Sequence, residues 1–179
     1  MGAKRLIALL VLAVLVTGCQ DDAPATAEMT GSMPAGERAI VDWVNDGDTL
    51  TLQGGKKVRL LQIDAPELRS DCYGRPATRE LSSLAPKGTR VRLVPDARLD
   101  AVDKHGRLLR YVFVGRRNVN VELVRRGAAS PYFFRNVRGR YADTLMDAVQ
   151  DARNARRGYW GACPAAELNP GIGSITGPA

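Results

Sequence analysis

The chain has 179 residues, 45% hydrophobic and 25% charged, which is enough for one ordinary globular domain with appendages and excludes a second full domain. The net charge is +7, and removing residues 1–18 takes away only Lys4 and Arg5, leaving 24 basic residues against 19 acidic ones. A surface with this excess attracts polyanions, whether nucleic acid, anionic lipid or cell-wall polymer.

Residues 1–18 have the pattern of a bacterial secretion signal. Two basic residues precede an apolar run over residues 6–16, which is too short to span a bilayer. The Val-Thr-Gly-Cys that follows resembles a lipobox, so we expect acylation of Cys19 as the new N-terminus, with cleavage elsewhere as the alternative. Residues 19–36 are predicted to form a flexible, lipid-anchored tether. The expected location is the bacterial cell envelope, outside the cytoplasm.

Two further cysteines, Cys72 and Cys163, remain if Cys19 carries lipid. In an oxidising compartment a disulfide is the default state of such a pair. We therefore predict a Cys72–Cys163 bridge, and separate burial of the two thiols is the alternative.

Five strands and three helices are predicted between the tether and Cys163. Alternating apolar residues and glycine-containing turns such as Asp46-Gly47 indicate the strands, and apolar faces closed by glycine or proline indicate the helices. The predicted strands are 39–44, 49–53, 56–63, 90–94 and 107–114, and the predicted helices are 77–84, 118–126 and 141–156. The order predicts an α+β, mainly β fold over residues 37–163, a five-stranded OB-fold barrel with three helices.

Residues 164–179 are dominated by proline, glycine, alanine and serine. They show no hydrophobic period, so neither a helix nor a strand is indicated. The sequence predicts a disordered tail there, with no function that its pattern indicates.

The stretch 58–67, VRLLQIDAPE, carries the chemistry of the chain. Its first residues alternate as in a strand, and Pro66 ends any ladder because it has no N–H to donate. Asp64, the carbonyl of Ala65 and Glu67 then place three hard oxygen donors within one turn, which suits a calcium-sized cation. Arg59 adds a guanidinium, and a phosphate is the obvious ligand of an arginine beside a cation. A core strand with an ordinary turn is the simpler alternative.

Two other motifs accompany this stretch, Asp46-Gly47-Asp48-Thr49 and Asp103-Lys104-His105-Gly106-Arg107. With the three motifs in this order, residues 39–160 resemble the staphylococcal nuclease (thermonuclease) family. The resemblance implies an OB-type barrel and a site with one Ca²⁺. It also implies sugar-nonspecific endonuclease activity on DNA, RNA or both, with 3′-phosphorylated products, and we expect the protein to act as a monomer.

Roles for individual residues follow from the same resemblance. Asp48, Asp64 and the main-chain carbonyl of Ala65 are similar to the Ca²⁺ ligands, and alanine suits the last position because only its backbone oxygen binds. Glu67 resembles the residue that orients and deprotonates the attacking water. Arg59 and Arg107 resemble the pair that binds the scissile phosphate.

Further residues resemble the nucleic-acid-binding positions of the family. Lys104 and His105 occupy a hairpin tip, where the family commonly has tyrosine in place of His105. This change puts binding of a terminal phosphate in question, and as a hairpin residue the single histidine is expected to be solvated. Tyr132 and Phe134 resemble a base-stacking segment, with core packing as the alternative.

Two other functions remain open from sequence. A catalytically inactive nucleic-acid-binding barrel would not need all of Asp48, Asp64, Glu67, Arg59 and Arg107, yet the chain has all five. An envelope protein that holds anionic polymers would not need carboxylates at two turns. The sequence therefore favours the nuclease.

Overall fold

The computed structural model describes residues 35–179, and its centre is a closed barrel. The barrel strands are β1 (Glu37–Val44), β2 (Thr49–Leu52), β3 (Lys57–Leu60), β5 (Arg90–Val94) and β6 (Leu108–Val114). They pair in the order β3-β2-β1-β5-β6, and a parallel pairing of β3 with β6 closes the sheet. The short strand β7 (Arg117–Asn118) extends β6. This mixed five-stranded barrel confirms the predicted OB-type fold.

The predicted strand over residues 56–63 is wrong at its second half. The chain leaves the barrel after β3, and Gln62 has a positive φ of 58°. It then forms a separate strand β4 (Ile63–Asp64), which pairs antiparallel with β8 (Ser130–Pro131). The sequence pattern could not show that the chain changes its pairing strand after β3, because the residues on both sides of the break, Leu60 and Leu61, are buried.

Four α-helices surround the barrel in the described part of the chain: α1 (Gly74–Leu84), α2 (Val119–Arg125), α3 (Ala142–Asn154) and the single turn α4 (Tyr159–Ala162). Three of them match the predicted helices, and α1 begins three residues earlier than expected. The side chain of Asn118 accepts hydrogen bonds from the first amides of α2 and caps it. Because α2 packs against α1, α3 and β6, the helices form one core with the barrel.

The predicted disordered tail at residues 164–179 is also a wrong expectation. This segment forms a hairpin of β9 (Glu167–Asn169) and β10 (Gly173–Ile175), and we call residues 164–179 the C-terminal strap. Composition was misleading because backbone hydrogen bonds and a covalent link, not a hydrophobic period, hold the segment. The predicted Cys72–Cys163 disulfide is confirmed and joins the residue directly before the strap to the loop before α1.

The predicted signal peptide, Cys19 and most of the tether lie outside the described residues. Among residues 35–179, none of the helices is both long and apolar enough to cross a membrane.

Candidate active site

An arginine between two aspartates forms the centre of the site. Nη2 of Arg59 lies 2.9 Å from Oδ2 of Asp48 and 2.8 Å from Oδ1 of Asp64. Its Nη1 donates to the carbonyls of Leu60 and Ile63, at 3.0 and 2.7 Å, so the backbone turn after β3 holds the guanidinium in place. We call Asp48, Arg59 and Asp64 the acidic cluster. The break between β3 and β4 builds it, because it brings Asp64 back toward Arg59.

Asp48 reaches this cluster from the turn between β1 and β2. The Asp46 carboxylate accepts the Asp48 amide at 3.1 Å and shapes that turn. Gly47 then passes so close to Ala65 that an added Cβ would lie 2.5 Å from the Ala65 methyl carbon. This approach lets Oδ2 of Asp48 accept the Ala65 amide at 2.9 Å. The two predicted metal-binding segments are therefore in direct contact.

Burial dominates the electrostatics of the acidic cluster. Asp48 is only 7% exposed, and its pKa is raised to about 7. Desolvation is the main cause, the Arg59 guanidinium acts in the opposite direction, and the nearby carboxylates of Asp46 and Asp64 add to the rise. The cluster holds more acidic than basic groups, so an additional cation would stabilise its ionised form.

The donor set fits Ca²⁺ better than a metal that needs a complete protein cage. Within residues 35–179, no three His, Cys, Asp or Glu side chains are grouped so that they could hold a metal by themselves. The chain instead offers the carboxylates of Asp48 and Asp64 and the carbonyl of Ala65. Calcium takes six to eight oxygen ligands and accepts carbonyl and water oxygens among them. These residues therefore suit a calcium ion that is partly coordinated by water or substrate.

Arg107 lies at the base of the 103–107 turn and is tied to the same cluster. Its Nε donates to Oδ2 of Asp103 at 2.7 Å, and its Nη1 donates to the Thr49 hydroxyl at 3.4 Å. Thr49 in turn donates to Oδ1 of Asp48 at 3.1 Å. Burial acts to raise the pKa of Asp103, but hydrogen bonds from Arg107 outweigh it and lower that pKa. Sequence reasoning missed Thr49, which joins the second arginine to the acidic cluster.

Glu67 stands apart from these contacts. Its carboxylate is exposed and takes part in none of the ion pairs found among residues 35–179. Its backbone is fixed, because its amide donates to Oδ2 of Asp71 at 3.0 Å and its carbonyl lies against Gly74. An added Cβ on Gly74 would lie 2.1 Å from that carbonyl oxygen, so the loop requires glycine. The structure thus holds Glu67 on a rigid loop with its carboxylate free to meet solvent.

A cleft of about 670 Å³ opens beside the two arginines. Arg59 and Arg107 line it, together with Lys104 and His105 from the hairpin tip. Tyr132 and Phe134 line the same cleft, with their ring centroids 6.4 Å apart, and Phe134 is 54% exposed. We call Lys104, His105, Tyr132 and Phe134 the cleft wall. Phe133 between the two aromatic residues is buried in the core, whereas Tyr132 is half-buried.

Gln62 holds the aromatic part of the cleft wall against the barrel. Its backbone carbonyl accepts the Tyr132 amide at 2.9 Å, and its side chain donates to the Val137 carbonyl at 2.7 Å and accepts the Gly139 amide at 2.7 Å. Gln62 was predicted only as part of a strand. The signal available in the sequence was a glutamine inside an apolar run, where a buried amide needs partners.

A closed OB-type barrel with paired carboxylates, two arginines and an aromatic cleft is the arrangement expected of an OB-fold nuclease. The family model described as Staphylococcal nuclease homologue matches residues 57–162, which is more than half of the chain. The chain belongs to the staphylococcal nuclease family. The match contains every residue predicted for catalysis, metal binding or nucleic-acid binding except Asp48, and it ends before the C-terminal strap.

Three relatives illustrate the similarity. An uncharacterized endonuclease of Haemophilus influenzae is 39% identical over 93 residues, which cover 50% of this chain and 49% of that protein. An uncharacterized endonuclease of Escherichia coli O157:H7 is 37% identical over 122 residues, covering 65% and 72%. The thermonuclease of Staphylococcus intermedius is 30% identical over 132 residues, covering 70% and 77%. The match thus spans about half the length of the Haemophilus relative.

Proposed function

We propose that the protein is a Ca²⁺-dependent phosphodiesterase, a sugar-nonspecific endonuclease that hydrolyses DNA, RNA or both and leaves 3′-phosphorylated products. The observation that carries the proposal is the acidic cluster beside a cleft that Arg59 and Arg107 line. Family membership and the names of the relatives support the reaction class.

The metal would be held by Asp48, Asp64 and the carbonyl of Ala65. When bound there, Ca²⁺ would supply positive charge for the phosphate and lower the pKa of a coordinated water. The two carboxylates are preorganised, because Arg59 and backbone amides already hold Asp48 and Asp64 in place.

The two arginines bind the scissile phosphate in this proposal. A phosphodiester carries a negative charge that repels an attacking hydroxide, and more charge develops on its oxygens in the transition state. Arg59 and Arg107 approach the cleft from β3 and from the 103–107 turn, so their guanidinium groups can contact one phosphate from two directions. Each is restrained by a carboxylate, which limits the reorganisation needed during the reaction.

Glu67 takes the proton from the attacking water in this proposal. The new bond forms between the water oxygen and phosphorus, and the bond to the 5′ oxygen breaks. That oxygen leaves with a proton from solvent, so the products are a 3′-phosphate and a 5′-hydroxyl. The exposed Glu67 carboxylate on a loop whose backbone is held by hydrogen bonds supports this role, because it is accessible to water.

The cleft wall would bind the nucleic acid on either side of the scissile bond. Tyr132 and Phe134 offer faces for base stacking, which depends little on sequence because every base has such a face. Lys104 and His105 lie on the exposed tip beside Arg107, where Lys104 can contact a phosphate. We also propose that the protein acts as a monomer.

Cleavage of plasmid DNA by the purified protein tests the proposal. We expect nicking and linearisation with Ca²⁺, loss of activity with a calcium chelator, and recovery when Ca²⁺ is restored. The fragments should accept a 5′ label from a kinase without prior dephosphorylation, since their 5′ ends carry hydroxyls. DNA binding without cleavage under all these conditions would replace the proposal with the inactive binding module.

Two variants separate the roles of the side chains. Arg107→Lys keeps a positive charge but loses the planar fork, so turnover should fall steeply while substrate affinity changes little. Glu67→Gln should lower turnover similarly and leave Ca²⁺ binding intact, because Asp48 and Asp64 remain. Near wild-type turnover in both variants would contradict the mechanism.

We also propose that Cys19 is lipidated and anchors the mature protein to an envelope membrane. Mass spectrometry of the N-terminal peptide should show a diacylated cysteine. An unmodified Cys19, or a Cys19→Ser variant that still partitions with membranes, would refute the anchor.

A further inference from the structure

The C-terminal strap lies directly against a residue of the acidic cluster. Both the backbone amide and the hydroxyl of Ser174 donate to Oδ2 of Asp64, each at 2.9 Å. Arg59 occupies the other oxygen, Oδ1, at 2.8 Å. Both oxygens of this carboxylate are therefore held, one from the barrel and one from a segment 110 residues further along the chain.

The residue before Ser174 shows how closely the strap approaches. Gly173 has a φ of 109°, and an added Cβ would lie 2.5 Å from Oδ2 of Asp64. A side chain there would collide with the carboxylate and strain the backbone at the same time. Glycine thus permits the contact that the next residue makes.

The same strap also holds the far end of the loop that follows Asp64. The carbonyl of Gly177 accepts the Cys72 amide at 2.9 Å, and the Ala179 amide donates to the Ser70 carbonyl at 2.8 Å. The disulfide fixes the residue directly before the strap to Cys72. The loop carrying Asp64, Ala65 and Glu67 is therefore attached to the strap at both ends.

We propose that Ser174 is a positioning residue that orients the Asp64 carboxylate for calcium binding. The inference rests on the proposed function, in which Asp64 is a metal ligand. The two hydrogen bonds that Oδ2 accepts from Ser174 prevent the Asp64 carboxylate from rotating. Its other oxygen, Oδ1, which contacts Arg59, therefore points into the acidic cluster. Removing a hydrogen-bond partner of a metal ligand typically weakens metal affinity about 10- to 100-fold. The strap lies beyond the matched family residues, so this support comes from the chain's own C-terminal segment.

The test compares three substitutions in the purified full chain. Ser174→Ala removes the hydroxyl donor and keeps the backbone one, whereas Ser174→Thr keeps both. Thr176→Val is the matched control, because the Thr176 hydroxyl is buried in the same segment and has no hydrogen-bond partner among residues 35–179. The dissociation constant for CaCl₂ is measured by calorimetry without substrate, and turnover is measured at saturating Ca²⁺. Thermal unfolding checks that each variant is folded.

We expect Ser174→Ala to weaken Ca²⁺ binding by at least about tenfold, with turnover largely restored at saturating Ca²⁺. Ser174→Thr should bind Ca²⁺ within about twofold of the wild type, as should Thr176→Val. Equal affinity in Ser174→Ala and the wild type would overturn the proposal, as would an equal loss in Thr176→Val.

Asp64→Asn is measured in the same way, because its result distinguishes failure of the Ser174 proposal from failure of the proposed function. If Asp64→Asn loses affinity while Ser174→Ala does not, only the role of Ser174 is refuted. If Asp64→Asn also binds Ca²⁺ like the wild type, Asp64 is not a ligand, and both proposals fail.

Discussion

Two clusters of carboxylates and arginines in this protein differ in their charge and their burial. The acidic cluster has two aspartates around one arginine, whose side chain is 13% exposed. The second, which we call the helix cluster, joins α1 to α2. It consists of Glu80, Glu122, Arg125 and Arg126, with ion pairs of 2.9 to 3.0 Å. Its charges are equal in number, and Arg125 and Arg126 are 48% and 37% exposed.

One carboxylate in each cluster has a shifted pKa, and the two shifts have opposite directions. Burial raises the pKa of Asp48 to about 7 despite Arg59. Burial also acts to raise the pKa of Glu122, but hydrogen bonds from Arg126 and Arg125 outweigh it, and that pKa is lowered. A cluster whose charges are matched is stable by itself, whereas a buried excess of carboxylates is stabilised when a cation binds. The difference supports the proposal that calcium binds at the acidic cluster and not at the helix cluster.

The largest expected effect comes from exchanging an arginine for lysine in each cluster. Arg59→Lys cannot reproduce the four contacts of the guanidinium with two carbonyls and two carboxylates. We expect nuclease turnover to fall about 10²- to 10³-fold, the usual loss for one preorganised donor. Arg125→Lys in the helix cluster should retain wild-type turnover. Steady-state cleavage of single-stranded DNA measures both, and equal losses would remove the functional distinction between the clusters.

Calcium should stabilise the fold through the acidic cluster alone. At a free Ca²⁺ concentration 100 times its dissociation constant, the free energy of unfolding should rise by about 2.7 kcal/mol. Asp64→Asn should lose most of this gain, while Glu80→Gln in the helix cluster should keep it. Urea unfolding with Ca²⁺ and with chelator measures the difference. A gain that persists in Asp64→Asn would place the ion elsewhere.

The cleft wall should contribute to binding and not to the chemical step. Phe134→Ala removes an exposed ring that lines the cleft, and we expect substrate binding to weaken by about 1–3 kcal/mol, the value of one stacked base. Trp43→Ala is the control, because Trp43 is 48% exposed and lies outside the cleft lining. Fluorescence titration with a single-stranded oligonucleotide in chelator separates binding from cleavage. Equal losses in the two variants would argue against stacking in the cleft.

The smallest effect is expected from Glu122→Gln. The pKa of Glu122 in the folded protein lies below its unfolded value of 4.5. Its ion pairs therefore stabilise the protein fully above pH 4.5, and this stabilisation is lost as the pH falls through the folded-state pKa. We expect the variant to be less stable than the wild type by about 0.5–1 kcal/mol at pH 7, with a smaller difference at pH 2. Nuclease activity at pH 7 should not change. Thermal unfolding at both pH values provides the test, and a difference that is independent of pH would exclude the ion pairs as its cause.

Much of the barrel could be predicted from local pattern. The strand at residues 90–94 has the predicted bounds, and the helices end within about two residues of the expected positions. Alternating burial and glycine-containing turns are properties of short stretches, so sequence shows them directly. The contacts of Arg59 with Asp48 and Asp64 also agree with the expectation that these residues form one site.

Two aspartates, a glutamate and two arginines can be recognised from the sequence, because they stand in motifs typical of the family. The turn at Gln62 that takes the chain out of the barrel, the link from Arg107 through Thr49 to Asp48, and the contact of Ser174 with Asp64 appear only in the folded chain. The contacts of Arg107 and Ser174 join residues 58 and 110 positions apart, and no local sequence pattern extends over such separations. The C-terminal strap shows the same limit, because a disulfide and backbone hydrogen bonds give order to a segment whose composition indicated none.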